Sequence, residues 1–220
     1  NASGRRYTYS AEWLRRAVNN QTLFWGGAEA FFETEKKQLL SARLKSNLAG
    51  LNSYDIIRQV YDRFEEKSPS GTPLAWMTYL DINFRLPELL LMRVDKMSMA
   101  VSLEARVPFL DHKFVEFAMS IPENIEIRGN ELKYILKKAV EGILPDEIIY
   151  REKQGFGVPI YEWFFEKLGV FAKQKLSGFA SKTDYFNMSH IEKLFEARNA
   201  QKIWFILNFA LWYEEWIEKV

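Results

Sequence analysis

The sequence contains no cysteine among its 220 residues and only two histidines, His112 and His190. The absence of cysteine excludes disulfide bonds, zinc–thiolate sites and a cysteine nucleophile within this chain. Two histidines that lie far apart in the sequence also argue against a histidine-based metal site. The sequence therefore predicts no metal site of its own.

A surplus of positive charge is lacking as well. The chain carries 30 lysines and arginines against 29 acidic residues, which gives a formal net charge of +1. Nucleic-acid-binding domains need a basic surplus, so we do not expect nucleic acid as a partner.

Long uninterrupted apolar runs are absent too. The apolar run at residues 203–212 is broken by Asn208 and followed by Glu214 and Glu215, so it predicts a buried core helix and not a membrane span. Asn1 and Ala2 are interpreted as a cloning remnant, and no secretory signal precedes the first predicted helix. We therefore expect a cytoplasmic protein without a membrane partner.

The residues that are present predict a helical fold. Apolar residues make up 48% of the chain and aromatic residues 15%, so the chain can bury a large core. The apolar spacing is helical almost throughout, which predicts an all-α chain forming one mostly helical domain over residues 1–220. Helices are predicted to begin near Ser10, Gly26, Ser53, Thr72, Pro87, Asp111, Glu131, Pro159, Ser189 and residue 201.

Three stretches between these starts lead to more specific expectations. Residues 125–127 alternate in polarity, which permits a short strand. Residues 131–142 have the most regular helical spacing of the whole sequence. Residues 177–187 are polar and contain a glycine, so they predict a linker or a surface loop.

Residues 95–111 join two of the predicted apolar helices. The first helix must end near residues 102–105, because Val107 precedes a proline. Asp111 is a good N-cap for the second helix. Glu104 and Arg106 therefore lie on a short joint, and the pattern is explained equally well by an ion pair that braces a buried joint and by charged groups at the floor of a cleft.

The run D-K-M-S-M-A-V-S-L-E-A-R-V-P-F-L-D at residues 95–111 resembles a signature near the C-terminus of the synthetase domain of glutamine-dependent asparagine synthetases. A second run, I-Y-R-E-K-Q-G-F-G-V-P at residues 149–159, follows Leu144 and Pro145 at the distance usual for that family. Two long runs in the same order are a specific signal, and the resemblance is clear over about residues 75–165.

The resemblance implies a fold and a reaction. The chain would be the multi-helix C-terminal portion of an α/β ATP-pyrophosphatase-type (adenine nucleotide α-hydrolase-like) synthetase domain. Such a ligase adenylates the carboxylate of aspartate with ATP and magnesium, and glutamine-derived ammonia then displaces AMP. The implied role is asparagine biosynthesis by an amidotransferase.

The resemblance also implies roles for particular residues. Lys153 would stabilise negative charge at the activated carboxylate, where adenylation crowds charge around a phosphate. Glu104 would act on the incoming ammonia or position the intermediate. Arg106 would hold Glu104 in place, and Asp95 and Lys133 would support the site. Without the resemblance, Lys153 would be a solvated lysine and Lys133 an exposed helix lysine.

Several family features are missing from this sequence. Neither an S-G-G-x-D-S pyrophosphate loop nor a G-x-x-x-x-G-K-[ST] loop occurs, and Gly26 and Gly27 are followed by alanine and glutamate. The acidic magnesium segment and the cysteine-initiated glutaminase are missing as well. ATP and magnesium therefore belong to a full-length enzyme that also carries the nucleotide-binding sheet and the glutaminase domain, and we expect this chain alone to bind no cofactor and to be inactive.

Two other functions are compatible with the sequence. The chain could belong to a related synthetase that amidates another acceptor or closes a β-lactam ring. It could instead be a helical interaction module that has lost catalysis, although Glu104 and Lys153 both remain in the motifs. The acceptor, the oligomeric state and the origin of the chain as a fragment or a split protein stay open.

Overall fold

The computed structural model describes residues 8–27, 29–68, 71–153, 155, 158–166 and 168–219. Within these ranges the secondary structure is helical and no named strand is formed. Isolated bridges pair Leu40 with Phe186, Arg128 with Glu131, and Glu141 with Leu144. The prediction of an all-α chain is confirmed.

The described α-helices follow one another with short connections. In chain order they are α1 Tyr9–Val18, α2 Glu33–Leu39, α3 Ala42–Asn47, α4 Tyr54–Lys67, α5 Pro73–Leu80, α6 Met92–Met99, α7 His112–Met119, α8 Glu123–Glu126, α9 Tyr134–Val140, α10 Asp146–Ile149, α11 Ile160–Glu166, α12 Leu168–Thr183, α13 Met188–Glu196 and α14 Ala200–Trp216. A π-helical segment, Asp81–Leu91, joins α5 to α6, and the 3₁₀ turn Pro108–Leu110 precedes α7.

The larger of two hydrophobic cores lies among the last four helices, with Leu39 of α2 packed into it. Phe179 of α12 is 2% exposed, and its ring contacts those of Phe209 and Tyr213. Helix α14 buries one face, formed by Ala200, Ile203, Ile206, Leu207 and Ala210. Each large apolar side chain buried in this way contributes about 1.5–3 kcal/mol. The expected core helix near the C-terminus is confirmed, and over the described residues no helix combines the length and apolar composition that a membrane span requires.

The second core lies between α4, α5 and the loop that precedes α2. Its buried members are Trp25, Ile57, Val60, Phe64, Trp76 and Leu80. Helix α5 begins as expected, because the Thr72 hydroxyl accepts a hydrogen bond from the Ala75 N–H at 3.1 Å and Pro73 occupies the first turn. The Trp76 indole N–H donates to the Phe24 carbonyl at 3.0 Å, which fastens the loop to this helix.

The predicted helix start at Pro87 is wrong. Pro87 lies inside the π-helical segment, so α5, this segment and α6 form one continuous helical stretch over residues 73–99. Proline lacks an N–H and its ring crowds the preceding turn of an α-helix. The wider π turn, with hydrogen bonds five residues apart, accommodates the ring without ending the helix.

Other boundaries also differ from the sequence-based expectations. Residues 125–127 form no strand; the helical turn α8 covers the first two of them. The helix expected at residues 131–142 is shortened to α9, because Lys133 takes a left-handed conformation at its start. Residues 177–187 are not a linker, since α12 continues to Thr183 with Phe179 and Ala180 on its buried face.

Two helix starts are displaced for a similar reason. The helix expected from Gly26 begins only at Glu33. The helix expected from Ser189 begins at Met188, and its N-cap is Asn187. The side chains around these starts pack into the two cores, and packing overrides the local capping pattern.

The central part of the chain differs from both cores in its burial. Among the described residues between Asp81 and Val158, none is buried. Both motifs lie in this part.

Candidate active site

The first motif spans the end of α6, an irregular segment and the start of α7. Helix α6 ends because Ser102 takes a left-handed φ of 58° and the Leu103 N–H donates to the Ser98 carbonyl at 3.0 Å. After Pro108–Leu110, the Asp111 carboxylate accepts hydrogen bonds from two backbone N–H groups of α7 at 3.0 and 3.3 Å. The predicted N-cap is confirmed, whereas the first helix ends at Met99, three residues before the predicted range of residues 102–105.

Glu104 and Arg106 form an ion pair on this irregular segment. The Arg106 Nη2 lies 2.8 Å from the Glu104 Oε1, and the two side chains are 82% and 67% exposed respectively. The expected pair is therefore present, but the expected burial of the joint is wrong for this chain. Water screens an exposed pair, so it contributes only about 0–1 kcal/mol to stability.

Lys153 lies on the loop after α10 and is exposed. Its amine has no hydrogen bond or ion pair with any described residue, and no described contact joins it to Glu104. The structure thus places the two residues on separate segments. Gly157, the second glycine of this motif, and its neighbour Phe156 lie outside the described residues.

A polar network fastens the start of this loop to α9. Glu141 accepts a hydrogen bond from the Lys138 amine at 2.6 Å and another from the Tyr150 hydroxyl. The Lys137 amine lies 5.5 Å from the centroid of the Tyr150 ring. Tyr150 comes three residues before Lys153, so this network restrains the backbone that carries the lysine.

The network also sets the ionisation of its members. The hydrogen bond to Glu141 raises the pKa of Lys138 to about 12. Hydrogen bonds from Lys138 and Tyr150 lower the pKa of Glu141, and the bond to Glu141 raises the pKa of Tyr150. At neutral pH the network is therefore a cation, an anion and a neutral phenol. Sequence reasoning missed it, although Lys138 and Glu141 are three residues apart, the spacing of helical ion pairs.

The charged groups of the two supporting residues make no hydrogen bond or ion pair with the described residues. Lys133 has a φ of 59° and immediately precedes α9. The expectation that this lysine lies within a helix is therefore wrong. Its amine has no described hydrogen bond or ion pair. The Asp95 carboxylate lies on α6 and makes no ion pair with Lys96, while its carbonyl accepts a hydrogen bond from Ser98 at 3.2 Å.

The described residues offer no ready magnesium site. No group of three or more histidine, aspartate or glutamate side chains among them is arranged to hold a metal ion. Magnesium needs about six oxygen ligands in near-octahedral geometry. The described residues thus form no preassembled magnesium site, and we derive no chemical step through this ion.

A cavity of about 620 Å³ opens beside the second core. Its aromatic walls include Trp13, Phe24, Tyr61, Phe64 and Trp76. Behind it, Arg16 bridges Glu12 and Glu29 with 1% of its surface exposed. Sequence reasoning missed this cavity, because its walls come from four separate segments: α1, the loop before α2, α4, and α5 with the loop that precedes it. None of its lining residues belongs to either motif.

Comparison with known proteins identifies the family. The family model for asparagine synthase matches residues 3–214. The chain belongs to the asparagine synthase family. The resemblance inferred from the two motifs is thereby confirmed.

Individual members of the family agree with this assignment. Asparagine synthetase [glutamine-hydrolyzing] 1 of Bacillus subtilis (strain 168) is 36% identical over 206 residues, which cover 90% of this chain and 31% of that protein. The putative asparagine synthetase [glutamine-hydrolyzing] of Mycobacterium tuberculosis (strain H37Rv) is 28% identical over 93% of this chain and 31% of that protein. This chain thus spans about a third of the length of these relatives. No solved structure matches it.

A shorter stretch is more similar to a third family member. Asparagine synthetase [glutamine-hydrolyzing] 3 of Bacillus subtilis (strain 168) is 54% identical over 67 residues, or 30% of this chain and 11% of that protein. The family assignment therefore rests on both a long moderate match and a short strong one.

Proposed function

We propose that this chain is the C-terminal part of the synthetase domain of a glutamine-dependent asparagine synthetase. In the whole enzyme, ATP adenylates the aspartate carboxylate and ammonia from glutamine then forms the amide. The proposal includes an upstream α/β ATP-pyrophosphatase-type sheet, a glutaminase domain and a cytoplasmic location. The family match and the two motifs support it.

The observation that carries the proposal is that Glu104 and Lys153, one from each motif, are both solvent-exposed. Each can therefore meet a ligand brought by another part of the enzyme. The Lys153 amine has no described partner that would neutralise it. A cation in this state can stabilise the negative charge that builds up as the carboxylate attacks the α-phosphate and pyrophosphate leaves.

Glu104 would act in the second step. When ammonia attacks the acyl-adenylate, its nitrogen becomes positively charged and must lose a proton. A carboxylate within hydrogen-bond reach can accept that proton or orient the nitrogen. Arg106, 2.8 Å from one Glu104 oxygen, would hold this carboxylate in place and leave its second oxygen available. Asp95 and Lys133 would play supporting parts.

Two variants of the full-length enzyme test these roles. Lys153→Ala should reduce aspartate-dependent pyrophosphate release by about 10²–10³, while Lys173→Ala, at an exposed position of α12, should not. Glu104→Gln should still form the acyl-adenylate but slow amide formation by about 10²–10⁴. Rapid-quench measurement of adenylate and amide separates the two steps. Normal turnover of both variants would refute the assignment.

The thermodynamic control uses Arg106. Because its pair with Glu104 is exposed in this chain, Arg106→Gln should change the stability of the 220-residue chain by at most about 1 kcal/mol. Unfolding of the chain in urea measures this. A much larger loss would mean that the pair is structural, and the amidation defect of Glu104→Gln would then need another explanation.

A titration tests the proposal that the ATP-binding site lies in another part of the enzyme. With no phosphate loop in its sequence, the 220-residue chain should bind ATP with magnesium only weakly and should not turn over. Isothermal titration calorimetry measures the affinity. A dissociation constant in the low micromolar range would show that the nucleotide site lies within this chain.

A further inference from the structure

The central part of the chain exposes apolar side chains along its helices. Leu90, Val94, Met97 and Val101 are 44%, 47%, 67% and 75% exposed. Their spacing of four, three and four residues places them on one side of a helix. This side of the π-helical segment and α6, continued by Val101 just beyond α6, therefore forms an apolar stripe that is half to three quarters exposed.

The exposed apolar residues continue beyond the joint. Phe109 and Phe117 are 63% and 64% exposed, and the Phe109 ring contacts that of Phe114 at 5.5 Å. Leu132 and Ile143, on either side of α9, are 63% and 75% exposed. We define the central apolar surface by these residues: Leu90, Val94, Met97, Val101, Phe109, Phe117, Leu132 and Ile143.

A surface of this kind is unusual for a stable monomer. Exposed apolar side chains scattered singly are common, but a series along one side of a helix, such as Leu90, Val94 and Met97, marks a site of interaction. The contrast within the chain is sharp, because both cores bury large aromatic side chains whereas no described residue between Asp81 and Val158 is buried. The central helices contact one another and α5, but no described element buries their side chains as deeply as the two cores bury theirs.

The lengths of the relatives indicate what this partner is. The chain covers 31% of asparagine synthetase 1 of Bacillus subtilis, so about two thirds of that protein lies outside the matched stretch. A layer of secondary structure with one apolar face must bury that face against another layer. The apolar stripe ends at Val101, two residues after the end of α6 and three before Glu104, and Phe109 follows Arg106 by three. A layer packed on the surface would flank the ion pair on both sides.

We propose that the central apolar surface packs against the part of a longer asparagine synthetase polypeptide that lies outside the stretch matched here. This inference rests on the proposed function and adds the location of the interface. Docking would bury the stripe on α6 and exclude water from the joint. The Glu104–Arg106 pair, exposed in this chain, would thereby become part of an enclosed site.

Hydroxyl-radical footprinting tests the proposal through two methionines. Met97 and Met99 are 67% and 51% exposed, and methionine side chains are readily oxidised when accessible. The 220-residue chain is compared with the polypeptide encoded by the complete reading frame, with an added peptide to report the radical dose. Both methionines should lose most of their oxidation in the longer polypeptide. Equal oxidation in the two forms would overturn the proposal.

A matched pair of variants gives an independent measurement. Met97 and Leu14 are both 67% exposed, but Leu14 lies on α1, outside the central apolar surface. In the 220-residue chain, Met97→Glu and Leu14→Glu should each shift the melting temperature by no more than about 2 °C. In the longer polypeptide, Met97→Glu should lower it well beyond the Leu14→Glu shift, because the new charge would be buried unpaired. Equal shifts there would contradict the proposal.

Analytical ultracentrifugation of the 220-residue chain tests whether a second copy of the chain covers the central apolar surface instead. The chain should remain a monomer of 25.9 kDa. A dimer that Met97→Glu dissociates would assign the surface to a second copy and overturn the proposal. The footprint does not depend on turnover. Protected methionines without asparagine formation would refute the proposed function alone, and asparagine formation with fully reactive methionines would refute this inference alone.

Discussion

Replacing Arg16 with glutamine tests the buried charge network beside the second core. Arg16 and Glu12 are 1% and 0% exposed. The guanidinium of Arg16 donates to Glu12 at 3.1 Å, to the Leu23 carbonyl at 2.6 Å and to Glu29 at 2.5 Å. It also lies 3.7 Å from the centroid of the Trp25 ring. One side chain thus joins α1, the following loop and the aromatic core.

The size of the effect follows from what the substitution leaves behind. Glutamine is too short to make all three contacts and carries no charge, so Glu29 loses its ion pair and Glu12 loses one of two. Removing one partner of a buried ion pair typically costs about 3–5 kcal/mol. Because Arg15 still donates to Glu12 at 2.7 and 3.1 Å, we expect a loss near the lower end of that range.

Arg15→Gln is the matched control. It removes a partner of the same Glu12, but the Arg15 side chain is 25% exposed and water can replace its contacts. We expect a loss within about 1 kcal/mol for this variant. Urea unfolding followed by far-UV ellipticity measures both losses. Equal losses for the two variants, or a loss below about 1 kcal/mol for Arg16→Gln, would refute the view that burial makes this network strong.

Two further predictions concern the last four helices. Burial, together with the charges of neighbouring lysines, lowers the pKa of His190 below 6.5; the unfolded state then binds more protons, so stability should fall as the pH drops below that value. The decrease in melting temperature from pH 7.5 to pH 5 should be smaller in His190→Gln than in the exposed-site control His112→Gln. An equal decrease in the two variants would contradict this. Gly178→Ala should stabilise α12 by about 0.5–1 kcal/mol, because nothing lies within 4 Å of the added methyl group. Gly169→Ala should destabilise it, since the methyl group would clash with the Phe164 carbonyl, and a stabilised Gly169→Ala would show that α11 and α12 do not pack as described.

Helical content was predictable from the sequence because the apolar spacing was periodic, whereas the helix boundaries depended on tertiary contacts. Thr72 and Asp111 cap their helices as predicted, since the capping bonds are local. Pro87 was misleading because proline is disfavoured inside an α-helix, whereas here it lies inside a π-helical segment whose wider turn accommodates its ring. Residues 177–187 looked like a linker by composition, yet the Phe179 ring contacts four other aromatic rings of the C-terminal core.

The candidate site was predictable in part. The motifs identified Glu104 and Lys153, and the spacing of Glu104 and Arg106 predicted an ion pair, which forms. Its exposure was not predictable, because burial depends on which elements pack over the joint, and no local pattern encodes that. The contacts that restrain Tyr150 were missed for a related reason: they link α9 to a loop that the sequence treats separately.

The exposure of the Glu104–Arg106 pair matters for the catalytic role proposed above for Glu104. A carboxylate in water is a weak base, and its electrostatic interaction with nearby groups is small because water screens its charge. Preorganised charges accelerate acyl transfer most when water is excluded from the site. If the remainder of a synthetase packs on the central apolar surface, it would remove water from both sides of Glu104. The same contact would therefore stabilise the fold and raise the electrostatic effect of Glu104, and loss of the apolar stripe on α6 should impair amide formation even when every charged residue is retained.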